Sequence, residues 1–206
     1  MKTTYRYTIA APGRNAGSLW TQLIVFPKGK RYFLSMDRID TVNDSDTMFL
    51  RVDNPGCVRH KRDETFSEIY LSYLGGPEGL RIPPGEFYDV FPPERKFGYR
   101  RDTHKLPKRF IRACHLRDPE TGKRGPWLAG ITLEPSIVHG AWCMQQPGIV
   151  IFILVFGDRA IQTGESFGAA FIVGYFDTIE EMYAVNDRYK GHTAVSEEGS
   201  AWRLAK

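Results

Sequence analysis

Ile149-Val150-Ile151-Phe152-Ile153-Leu154-Val155-Phe156 is an unbroken run of eight apolar residues. A strand with one wet face alternates apolar and polar side chains, whereas a strand covered on both faces does not, so this run predicts a strand at the centre of the fold. Phe167 to Tyr175 is expected to return beside it. Working outward, Leu19 to Phe26 and Arg31 to Met36 are rich in β-branched and aromatic residues, and Pro27-Lys28-Gly29-Lys30 between them supplies a hairpin reversal. Met48 to Val52, Phe66 to Tyr73, Arg109 to Arg117 and Trp127 to Leu133 read as further strands, with a turn at Asp53-Asn54-Pro55-Gly56 and another at Asp118 to Lys123.

The period changes once. Asp177-Thr178-Ile179-Glu180-Glu181-Met182 carries a capping pattern, and one helix is expected near 178 to 189, ending before Gly191. With about ten strands to one helix, the class is mostly β: an antiparallel β-sandwich or half-open barrel with one C-terminal helix. Rossmann-like and TIM-barrel folds, which need strands alternating with many helices, are disfavoured. The 206 residues fit a single β-rich domain, 1–206, with enough chain to bury a sizeable core. From Gly75 to Pro107 repeated Gly and Pro break any regular pattern, which predicts a long loop serving as a flap over a site or as a wrapping arm.

Charge is concentrated rather than spread. Residues 87 to 117 hold nine Lys/Arg and three acids, net +6, while the whole chain carries +4. Aromatic side chains (Phe87, Tyr88, Phe91, Phe97, Tyr99 and Phe110) are interleaved with these cations, a mixture suited to an anionic partner with a flat face. The three cysteines, Cys57, Cys114 and Cys143, are far apart and odd in number, so they suit neither a disulfide framework nor a metal knuckle and are expected to be free thiols. No segment approaches the roughly 18 apolar residues of a membrane helix, and the first residues lack a signal-peptide core, so a soluble cytoplasmic protein is expected.

Alternation along the strands selects the candidate site residues. In Arg109 to Arg117, Phe110, Cys114 and Leu116 share a face, which puts Arg112 among apolar neighbours, where it must meet either an internal carboxylate or a ligand anion. His115 and Arg117 point the other way. In Phe66 to Tyr73, Ile69, Leu71 and Tyr73 form the apolar face, so Glu68 and Tyr70 project together from the opposite one, either into a concave site or to solvent. His139 lies three residues before Trp142, and Arg100, Arg101 and Tyr99 lie in the basic segment. The five histidines lack metal-site spacing, and Gly-rich phosphate loops and GxSxG are absent, so neither a metal nor a cofactor is expected. The Arg59-His60-Lys61-Arg62 run reads as a hairpin tip or as an extension of the basic surface.

Trp142 after His139, Glu68-Ile69-Tyr70 on a strand, and the Thr163-Gly164-Glu165-Ser166 turn before Phe167 to Tyr175 resemble carbohydrate-processing sandwiches of the mutarotase-like and polysaccharide-lyase families, over about the last two thirds of the chain. The resemblance implies a sugar ligand, with histidine, tyrosine, arginine and a carboxylate as the working groups. An enzyme acting on an anionic sugar by proton abstraction, as a lyase or epimerase, is the leading expectation. His139, His115, Tyr70 and Glu68 would be its catalytic candidates, and Arg112, Arg100, Arg101, Trp142 and Tyr99 its substrate-binding ones. A non-catalytic carbohydrate or polyanion module and a small apolar ligand inside a barrel are the alternatives. Nucleic acid is disfavoured for want of an RNP-like strand, a recognition helix or strong overall positive charge.

Overall fold

The computed structural model describes residues 1–59, 65–83, 97–146, 149–199 and 201–206; within these, side chains are described except at 53–59, 143–146, 149–152 and 198. The middle of the expected flap, 84–96, and residues 60–64, which include His60, Lys61 and Arg62 of the charged run, lie outside the described residues.

Two antiparallel sheets face each other. The larger has eight strands in the order β1 (Lys2–Arg6), β2 (Leu19–Val25), β3 (Tyr32–Asp40), β12 (Ser166–Phe176), β9 (Arg124–Thr132), β8 (Phe110–Arg117), β5 (Phe66–Leu71) and β6 (Leu80–Ile82). The smaller has four, in the order β4 (Ser45–Arg59), β11 (Ile149–Ile161), β10 (Val138–Gln146) and β7 (Tyr99–Arg100). The expected hairpin is β2 and β3, with Val25 opposite Leu34. The fold is therefore a mostly-β sandwich and not a closed barrel.

The eight-residue apolar run lies in β11, between β4 and β10. Phe167 to Tyr175 does not return beside it: β12 crosses to the large sheet and pairs with β3 and β9. Apolar character marks a strand for burial without naming its neighbour, and a sandwich connection that changes sheets satisfies the pattern equally well. The expected turn at 53–56 is also corrected. β4 runs through it, with Asp53 opposite Ile153 and Cys57 opposite Ile151, so residues 54–56 are absorbed as a bulge. Likewise the segment from 75 to 107 is not one continuous loop, because β6 and β7 each add a short edge strand to a different sheet. Strands of two or three residues are too short to show a period, and edges tolerate the prolines around them.

Two cores result. Between the sheets lie Ile69, Leu71 and Phe110 from the large sheet and Ala141, Leu154 and Phe156 from the small one. On the other face of the large sheet, Leu34, Tyr70, Ile111, Ile131 and Ile172 are covered by helix α1 (Ile179–Tyr189) and the hairpin of β13 (Ala194–Glu198) and β14 (Ala201–Ala205). Each Leu, Ile or Phe buried this fully contributes about 1.5–3 kcal/mol. The helix starts as expected: the Thr178 hydroxyl accepts from the Glu181 N–H at 3.1 Å, and the Glu181 carboxylate accepts from the Asp177 N–H at 2.7 Å. Among the described residues no helix is long and apolar enough to cross a membrane.

Candidate functional site

The candidate residues fall in three places set by strand alternation and the two sheets. Arg112 is on the inter-sheet face of β8, opposite Leu71 of β5, and is 1% exposed. It is an interior cation of the sandwich rather than a group lining a surface cleft, as the alternation of Phe110, Arg112 and Cys114 requires.

Glu68, Tyr70 and His115 come together on the other face of the large sheet, with Glu68 opposite His115 across the β5–β8 ladder. The Glu68 carboxylate lies 3.1 Å from His115 Nδ1, 3.4 Å from Arg81 Nη1 and 3.8 Å from Arg124 Nη1. The imidazole stacks on Trp127, with centroids 4.2 Å apart and planes at 16°. Tyr70 is fully buried; its hydroxyl bonds the Tyr183 hydroxyl of α1 and donates to the Glu78 carbonyl at 3.3 Å. Burial, reinforced by the Tyr183 bond, pushes the Tyr70 phenol well above its ordinary range. Gly79 closes this corner: its φ is +77°, and a Cβ there would stand 2.5 Å from the Tyr70 ring. The Glu68 carboxylate is thus shared by two guanidinium groups and an imidazole, and the Tyr70 hydroxyl is answered by Tyr183 and Glu78.

His139, Trp142, Arg100, Arg101 and Tyr99 gather on the small sheet, where the edge strand β7 pairs with β10 through Arg100 opposite Gly140 and Tyr99 opposite Ala141. Two interruptions of regular pairing build the corner. β10 is irregular between Val138 and Gly140, which takes His139 out of alternation, and β11 is irregular between Gly157 and Arg159, which does the same for Asp158. Asp158 has φ +59°, the one positive φ of a non-glycine residue among those described. Aspartate tolerates this region better than most residues, yet it still costs on the order of 1 kcal/mol. Gly157 before it is obligatory: its φ is +113° and a Cβ would stand 2.0 Å from the Met48 carbonyl oxygen.

The outcome is an imidazole–carboxylate pair, with His139 Nδ1 3.3 Å from Asp158 Oδ2. Arg101 staples the corner by donating from Nη2 to the Gly157 carbonyl at 2.9 Å and from Nη1 to the Ser136 carbonyl at 3.2 Å, while its backbone N–H donates to the His139 carbonyl at 3.0 Å. It holds the pair in place. Arg100 gives two bonds of 3.2 Å to Asp102 and thereby holds that carboxyl below its usual range. Its Nη1 takes no part in those two bonds. Tyr99 is not an open stacking platform: it faces the inter-sheet core at 1% exposure, edge-on to Tyr73 and Phe110. Its hydroxyl is buried without a hydrogen-bond partner among the described residues, and burial raises its pKa.

A cleft of about 830 Å³ opens beside this corner, lined by Phe49, Arg100, His104, His139 and Trp142 among others. Among the described residues no Asp or Glu lines it. Phe49 stands edge-on to His139, with centroids 5.2 Å apart. Asp158, Phe49 and His104 were not among the residues expected from the sequence. The signal for Asp158 was the Gly157-Asp158 step directly after the apolar run, a pairing typical of a bulge or turn. Phe49 and His104 carried no such mark. Among the described residues no three His, Cys, Asp or Glu side chains group as a metal would require. Neither a protein-family model nor a curated protein sequence matches the chain.

Proposed function

We propose that the protein binds an anionic sugar in the cleft beside His139 and moves a proton on it, as a lyase or epimerase does. The observation carrying this reading is His139, backed by Asp158, on the wall of a cleft that also presents Trp142, Phe49 and Arg100 and, among the described residues, no carboxylate. Asp158 lies on the Nδ1 side of the ring, which leaves Nε2 to accept a proton from a ligand. The free donor of Arg100 and the ring of His104 answer a sugar carboxylate. Neutralising that carboxylate acidifies the adjacent C–H, the bond an elimination or epimerisation must break. Trp142 and Phe49 supply apolar faces for the sugar ring. A volume of about 830 Å³ is within the range of small-molecule sites, about 300–1,000 Å³.

One observation favours a second reading, a non-catalytic carbohydrate or polyanion module: Arg100 and Arg101 each already commit two guanidinium donors, to Asp102 and to backbone carbonyls respectively. Incubation with uronate oligosaccharides separates the two. The catalytic reading expects an unsaturated product by ultraviolet absorbance or an epimer by NMR. Binding without either product selects the module, and no binding overturns both.

A further inference from the structure

A second cleft, of about 600 Å³, adjoins the first and shares two of its walls, Leu74 and His104. Its lining adds Lys105, Lys108 and Arg109 and, among the described residues, again no carboxylate. Lys105 and Lys108 are exposed and have no ion-pair partner among the described residues, unlike Arg109, which is bound to Asp187 and packed over Tyr183. The positive charge still free for a ligand therefore lies mainly in this second cleft, while the aromatic walls and the His139–Asp158 pair belong to the first. Each cleft alone is the size of a small-molecule site.

We infer that the two clefts form one groove and that its ligand is an anionic oligosaccharide, with one sugar unit beside His139 and further carboxylated units over Lys105 and Lys108. This inference rests on the proposed sugar site and names its substrate class. A carbohydrate suits the second cleft better than a nucleic acid. Bases need an open aromatic face, but Tyr73 is stacked on Phe110 at 4.1 Å and Tyr183 is capped by Arg109. A chain of uronates needs only cations and the aliphatic walls that Leu74 and Leu106 provide.

The test is a titration of the intact protein with oligogalacturonates from dimer to octamer at low salt, repeated for the K105Q/K108Q double variant and for W142A. Both lysines are exposed, so the double variant is expected to fold. The wild type is expected to bind the octamer about tenfold tighter than the dimer, as two exposed ion pairs allow. The double variant should bring that ratio close to one, whereas W142A should weaken every length and keep the ratio. A ratio that survives in K105Q/K108Q, or that is absent from a wild type that binds the dimer, overturns the second subsite and spares the first. Failure of all lengths to bind overturns the sugar site and this inference together. Equal, lysine-dependent binding of an oligodeoxythymidylate overturns the choice of carbohydrate.

Discussion

The protein contains two histidine–carboxylate pairs of similar separation, His115–Glu68 at 3.1 Å, which is hydrogen-bonded, and His139–Asp158 at 3.3 Å, which is in ion-pair contact only, in different surroundings. The first is bordered by register shifts, between Phe66 and Glu68 in β5 and between His115 and Arg117 in β8, but it is hydrogen-bonded, stacked on a buried Trp127 and surrounded by Arg81 and Arg124. The second is built on two irregularities in the strands, one of them a left-handed aspartate, at the wall of an open cleft. An imidazole beside a carboxylate is therefore not a site by itself. Close aromatic and cationic neighbours make the first pair part of the scaffold, whereas a left-handed aspartate beside an open cleft makes the second the better candidate for a ligand site.

The largest stability difference is expected between the two tryptophans. Trp127 is 4% exposed and carries the ring of His115, so Trp127→Ala should cost about 3–5 kcal/mol in chemical denaturation. Trp142 is half-buried, so Trp142→Ala should cost less than half as much while weakening uronate binding. Equal costs would erase the distinction between scaffold and site.

Asp158→Gly sharpens the comparison from the other side. Glycine adopts a positive φ freely, so the relieved backbone offsets the lost contacts of the carboxylate to His139, at 3.3 Å, and to Arg101 Nη2, at 3.8 Å. Stability should stay within about 1 kcal/mol of wild type, while turnover of a uronate substrate falls at least about tenfold for want of the group that orients the imidazole. Glu68→Gly, at a position without a positive φ to relieve, should lose stability and leave turnover nearly intact.

The smallest effect concerns helix α1, whose Tyr183 bonds Tyr70. Arg109, with help from Lys190, holds the Asp187 carboxyl below its ordinary range. The unfolded chain then binds more protons than the folded one in the interval between the depressed pKa and about 3.9. The stabilisation is fully present above that interval and is lost as pH falls through it. Urea denaturation of Asp187→Asn against wild type should show a difference below about 1 kcal/mol near neutrality, shrinking as the pH drops below about 4. A difference that grows on acidification would contradict the assignment.

How much of this was legible in the sequence depends on whether a feature repeats locally. The apolar run marked β11, the hydroxyl and acid around 178–181 marked the helix start, and alternation placed Arg112 inside the sandwich and Glu68 with Tyr70 on the opposite face. Each follows from contacts within a few residues. The pairing of β11 with β4 and the passage of β4 through Asn54-Pro55-Gly56 depend on partners about 100 residues away. The same holds for the site. Glu68, His115 and His139 were recognisable as candidates, but which histidine borders a cleft is decided by where the helix and the edge strand β7 pack.

The central claim, that His139 rather than His115 handles the proton, is tested most directly by measuring turnover of a uronate oligosaccharide by His139→Gln and His115→Gln side by side, with stability checked for both. The account expects His139→Gln to remain folded and lose at least about a hundredfold in kcat, and His115→Gln to keep kcat within about twofold while losing stability. The reverse pattern, or full activity in His139→Gln, would contradict it.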